Sequence, residues 1–165
     1  MYPVKLGYEE AISRIKGLLR NGFEAEAFVT TVFTVEKTFY RVLRQLVISA
    51  GFSSLQTSKL LQGFRGIGNI KQYWECFDPN NNKLSEIIKQ KDLKIISDAQ
   101  TMRNDIVHGK RVFTKTVYRE NIELLLPTLE TIRHTLERKY GFDGWSKIKG
   151  RKKSTLHQLD PKVNI

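Results

Sequence analysis

The sequence predicts an all-α fold, an up-and-down bundle of four main helices with short additional helices. Three observations predict it. Apolar residues recur at steps of three and four through most of the chain. No stretch alternates apolar and polar in the manner of a strand, and the links between periodic segments are short, which favours antiparallel helical neighbours.

The elements follow in order. A first helix runs from about Tyr8 to Leu19, with Ile12, Ile15, Leu18 and Leu19 on one face, and Asn21-Gly22 stops it. A long second helix is expected from Glu24 to Ser49, because Phe28, Val32, Val35, Phe39, Val42, Leu43 and Leu46 keep the helical step and Ala50-Gly51 ends it. Ser53 or Ser54 caps a shorter helix carrying Leu55, Leu60 and Leu61. The glycines at 63, 66 and 68 read as a loop, after which Asn69 caps a short helix through Ile70, Tyr73, Trp74 and Phe77. Asp78-Pro79-Asn80-Asn81-Asn82 is a break by turn chemistry, and a short helix follows from Leu84 to Lys89. Asp92 is expected to cap a helix through Leu93, Ile95, Ile96, Ala99, Met102 and Ile106, which Gly109 terminates. A last long helix spans Lys115 to Lys139, with Val117, Ile122, Leu125, Leu129, Ile132 and Leu136 inside and a kink or restart at Pro127. Residues 1–140 thus form one bundle, and 141–165 read as a basic, solvated and partly disordered tail.

Composition narrows the function. A chain of 165 residues is long enough to bury a real core. No apolar run approaches a membrane span, the N-terminus lacks the apolar stretch of a secretory signal, and a lone Cys76 forms no internal disulfide. These features lead to the expectation of a cytoplasmic protein without membrane association. The chain carries 28 Lys+Arg against 17 Asp+Glu, a net charge of +11. From Lys139 onward seven basic and two acidic residues leave the tail at +5 and the body at +6. That balance suits a polyanionic partner, since each neutralised phosphate releases counterions.

One segment could carry chemistry: Arg103-Asn104-Asp105-Ile106-Val107-His108-Gly109-Lys110-Arg111. Residues five apart on a helix diverge by about 140°, so an unbroken helix does not set Arg103 beside His108. Asn104 and His108, four apart, share a face. A histidine can exchange protons at working pH, and an arginine fork suits a phosphate or the charge developing on it. Together they match RNA cleavage by the 2′-hydroxyl, which requires proton transfers and stabilisation of a dianionic transition state but no metal or cofactor. An Arg and a His at a helix end also serve simply to satisfy last-turn carbonyls, and spacing alone leaves both readings open.

The segment resembles the HEPN superfamily, whose members carry an Arg, four to six residues, and a His. The match is Arg103, four intervening residues and His108, with Asn104 after the arginine and Gly109 after the histidine. The helix order agrees over roughly residues 5–138, including a long early helix with Val35-Glu36-Lys37-Thr38-Phe39-Tyr40-Arg41. The resemblance implies a metal-independent endoribonuclease of toxin, defence or RNA-processing type, without cofactors. It also implies a homodimer whose two motifs face one cleft, and an antitoxin or regulatory protein as a further partner. Carried over, His108 transfers protons, Arg103 binds the phosphate or the transition state, and Asn104 orients either. Some members lack activity and serve as RNA- or protein-binding modules, which is the alternative expectation.

Other residues carry weaker signals. Lys110 and Arg111 are candidates for RNA-backbone contacts, against a solvated loop. Glu36 and Asp105 are candidates for supporting the site. For Glu36 the expected placement is a surface or intrahelical pairing near Lys37 or Tyr40. Gly63-Phe64-Arg65-Gly66 superficially matches the GXXG loop of KH domains, but no strands accompany it. Nor does it follow a strand, as a phosphate-binding loop does. Tyr73 and Trp74 could stack on bases, with core packing the expected role. His134 and His157 belong to no zinc ligand set, and Cys76 is expected to be a small buried apolar residue.

Overall fold

The computed structural model describes residues 7–64 and 66–146. It is all-helical, with seven helices and no strand among the described residues, as the periodicity predicts. The helices are α1 (Tyr8–Arg20), α2 (Glu24–Ser49), α3 (Ser54–Leu60), α4 (Gly66–Phe77), α5 (Leu84–Ile87), α6 (Gln90–Val107) and α7 (Lys115–Tyr140). No described helix is long and apolar enough to cross a membrane.

The chain divides into two compact units, the first Met1–Glu36 with Lys91–Thr131, the second Lys37–Gln90 with Ile132–Ile165. Helices α2 and α7 contribute residues to both.

In the first unit, Ala11 and Ile15 of α1, Phe28, Val32 and Val35 of α2, Ile96 and Ala99 of α6, and Ile122, Leu125 and Leu129 of α7 are almost wholly buried. Each large apolar side chain so buried contributes about 1.5–3 kcal/mol. Thr31 lies inside the same core because its hydroxyl donates back to the Ala27 carbonyl at 2.8 Å, which spares it a partner elsewhere. Glu24, buried in the first turn of α2, accepts from Arg119 at 2.9 Å and lies 3.5 Å from Lys115. The Arg119 guanidinium first, then the backbone N–H at the helix start, hold its carboxyl below the usual range. Helix α7 runs through Pro127 without a restart.

The second unit is centred on Phe39, Leu43, Leu46, Trp74, Leu84 and Leu136. Ser53 caps α3, its hydroxyl accepting from Gln56 N–H at 3.2 Å while Gln56 Oε1 accepts from Ser53 N–H at 2.8 Å. A buried relay fixes the Asp78 turn. Trp74 Nε1 donates to the Tyr140 hydroxyl at 2.9 Å, and that hydroxyl donates to Asp78 Oδ2 at 2.5 Å. Asp78 Oδ1 accepts from the N–H groups of Asn80 and Asn82, both at 2.9 Å. Burial, then donation to Asp78, push the Tyr140 phenol far above its ordinary range.

The residues after Tyr140 pack as part of this unit. Phe142 and Asp143 are buried, and Trp145 Nε1 donates to Thr38 Oγ1 at 2.8 Å under the Arg41 guanidinium, 4.2 Å from the ring centre. Gly144, at φ +90, brings its backbone so close that an added Cβ would lie 2.9 Å from the Thr38 carbonyl oxygen. The remainder of the expected tail, 147–165, and His157 with it, lies outside the described residues.

Several expectations need correction. Helix α4 starts at Gly66, so Asn69 lies inside it, and its amide donates to the Gly63 carbonyl at 3.5 Å. The burial of Ile67 and Ile70 on the Trp74 face extends the helix into the glycine run. Helix α6 starts at Gln90, leaving Asp92 buried in its first turn. Cys76 is exposed, because it lies three residues from exposed Tyr73 on the outer face of α4. Tyr73 itself is 41% exposed, whereas Trp74 is fully buried.

Candidate functional site

The motif occupies the last turn of α6 and the loop that leaves it, wholly within the first unit. Arg103 follows Ala99 by four and Ile96 by seven, both buried, so it inherits their inward direction. His108 follows Asn104 by four and Thr101 by seven, both exposed, and is itself exposed. Helical rotation therefore separates the pair: the arginine turns in and the histidine out. Among the described residues no hydrogen bond or ion pair joins them.

Arg103 has a cross-helix partner instead. Its Nη2 donates to Glu36 Oε1 at 2.5 Å, with the two side chains only 16% and 13% exposed. Gln100 Nε2 donates to the same oxygen at 2.7 Å. The Phe33 ring lies beneath the guanidinium, 4.9 Å from its carbon. Arg103 Nε is buried without a hydrogen-bond partner. Glu36 thus does not pair along its own helix, as the sequence suggested, but ties α2 to α6. Its partner lies 67 residues away, which is why local spacing did not reveal it. Gln100 and Phe33 were missed for the same reason. The one available signal was that Gln100 precedes Arg103 by three and Phe33 precedes Glu36 by three, each a same-face step.

The end of α6 is built from its backbone. Gly109 adopts φ +65, Lys110 N–H donates to the Asp105 carbonyl at 2.8 Å, and Gly109 N–H donates to Ile106 at 3.0 Å. This is a Schellman termination with His108 as the C-cap. Arg111 N–H also reaches the Asp105 carbonyl, at 3.3 Å, so Asp105 supports the segment through its main chain. Phe113 N–H donates to the Tyr118 hydroxyl at 3.3 Å, anchoring the far side of the loop. The Arg111 guanidinium carbon lies 5.2 Å from the Phe113 ring centre.

The result is a hydrogen-bonded backbone presenting exposed polar side chains. Asn104, His108, Lys110 and Arg111 are all exposed on it. Val107 and Val112 are exposed at 57% and 89%, apolar groups on either side of the histidine. Among the described residues no three His, Cys, Asp or Glu side chains gather in a way that could hold a metal ion. Chemically, the arrangement offers one proton-transfer group, two cations and an amide, with a neighbouring arginine already engaged by a carboxylate.

Compared with protein-family models, curated proteins and solved structures, the chain matches none of them.

Proposed function

We propose that the chain is a metal-independent endoribonuclease whose site is completed by a second copy, so that two His108 side chains face one RNA strand. The observation that carries this reading is His108 itself. It is exposed on a rigidly terminated helix end, with Asn104 one turn back and Lys110 and Arg111 immediately after it. One imidazole takes the 2′-hydroxyl proton as O2′ bonds to phosphorus. The other gives a proton to the departing 5′-oxygen as its bond to phosphorus breaks. The products are a 2′,3′-cyclic phosphate and a 5′-hydroxyl. Lys110 and Arg111 supply charge to the phosphates. Glu36 occupies one terminal nitrogen of Arg103, so in this reading a phosphate contact falls to the other. Val107 and Val112 give the second copy apolar surface to cover.

RNA incubated with the purified chain in EDTA should be cut, and His108→Ala should abolish the cutting while keeping helical circular dichroism. Equal cutting by that variant sinks the assignment.

A second reading is favoured by the Arg103–Glu36 pair. If Arg103 serves only to join α2 to α6, the chain is a non-catalytic RNA- or protein-binding module, and the same assay yields salt-sensitive RNA binding without products.

A further inference from the structure

An aromatic row lies on the surface of the second unit, built from α4 and the loops on either side of α3. Phe64 and Tyr73 pack with ring centres 4.8 Å apart, tilted by 37°. Phe77, one turn beyond Tyr73 on the same face of α4, meets Phe52 edge to face at 6.2 Å. Phe52 and Tyr73 are each 41% exposed, and Phe64 and Phe77 are partly so. A Cβ added at Gly63 or Gly68 would meet nothing within 4 Å, so the backbone beside these rings is open.

The charge around the row is one-sided. On α3 and α4, Lys59 and Lys71 are exposed cations and Glu75 is the single acid. Arg44 Nη2 donates to Ser54 Oγ at 2.7 Å, which places a cation two residues from Phe52. Exposed rings could equally cover an apolar face of another protein, and Leu55 and Leu60 are exposed on α3 as well. The charge distinguishes the two. An apolar protein face gains nothing from this excess of cations, whereas a single-stranded nucleic acid offers phosphates to them and flat bases to the rings.

We infer that Phe52, Phe64, Tyr73 and Phe77 form a stacking surface for single-stranded nucleic acid. It uses none of the motif residues and does not depend on cleavage.

The test uses the full chain and a fluorescein-labelled oligothymidylate of about 12 nucleotides, a length suited to a short stacking row. Lacking 2′-hydroxyls, this probe cannot be cut by the proposed reaction, so failure here and failure of the nuclease reading are separate results. By fluorescence anisotropy, Tyr73→Ala and Tyr73→Leu should each weaken binding about tenfold, and Tyr73→Phe should bind as the natural chain does. The salt dependence should be unchanged in the Tyr73 variants and shallower in Arg44→Gln. Because Tyr73 is exposed, its variants should keep the same melting transition, and Phe52→Ala provides an independent second probe of the row. Unaltered affinity in both Tyr73→Leu and Phe52→Ala overturns the inference. So does a change in sedimentation mass with unaltered affinity, which would make the row a contact between copies.

Discussion

Replacing Glu36 with alanine leaves the Arg103 guanidinium largely buried with no counter-charge. Pairs in open solvent contribute about 0–1 kcal/mol, whereas stranding one member of a fully buried pair costs about 3–5 kcal/mol. With side chains 16% and 13% exposed, this pair lies toward the buried limit. The lost Gln100 hydrogen bond adds about 1 kcal/mol. A total near 3 kcal/mol is expected for Glu36→Ala, after allowing for the solvent that still reaches the guanidinium. Urea unfolding followed by circular dichroism at 222 nm reads the loss as a lower midpoint at unchanged slope. Replacing both partners with apolar residues, Glu36→Leu with Arg103→Met, should recover stability to within about 1 kcal/mol, since neither charge is then stranded. A Glu36→Ala loss below about 0.5 kcal/mol would falsify the claim that this pair ties α2 to α6. The folded double variant also separates the two roles of Arg103, because under the nuclease reading it should be stable yet inactive.

Other perturbations probe the frame around the site and the second unit. Tyr140→Phe strands Trp74 Nε1 and removes a donor from buried Asp78, and should cost about 2–3 kcal/mol in the same urea assay. Gly109→Ala should cost about 1 kcal/mol, because φ +65 disfavours a side chain although the space is open. Gly144→Ala should cost clearly more, since its Cβ also meets the Thr38 backbone, and equal losses at the two glycines would refute the close approach. Asp143 should give acid sensitivity. Burial alone would raise its carboxyl, but the N–H groups of Ser146 and Trp145 and the Arg133 guanidinium outweigh that and hold it at about 2. A carboxyl lowered in the folded state stabilises above its unfolded value, near 4. The contribution should disappear as pH falls through the window from about 4 to about 2, and Asp143→Asn should flatten a pH-dependent melting curve there.

The helices were largely legible because their signals are local. Glu24–Ser49 carries an unbroken apolar step and ends at Ala50-Gly51, so both ends of α2 could be read directly. Ser53 with Gln56 is a capping pair that a sequence displays openly. The glycine run before α4 misled because glycine's local preference for a loop was overridden by the burial of Ile67 and Ile70. Cys76 was misplaced because its residue type favours burial, while its angle on α4 decides otherwise. At the candidate site, the divergence of Arg103 and His108 followed from five residues of helical rotation. What holds Arg103 inward did not, because Glu36 and Phe33 reach it from another helix.

A mixing experiment tests whether two copies share one site. Natural chains and His108→Ala chains, allowed to exchange partners, are combined at fixed total concentration, and RNA cleavage is measured in EDTA. If each site needs a His108 from both copies, activity follows the square of the natural fraction and an equal mixture retains about one quarter. Activity that falls in simple proportion, to about one half, or a natural chain that cuts no RNA at all, would contradict the composite site.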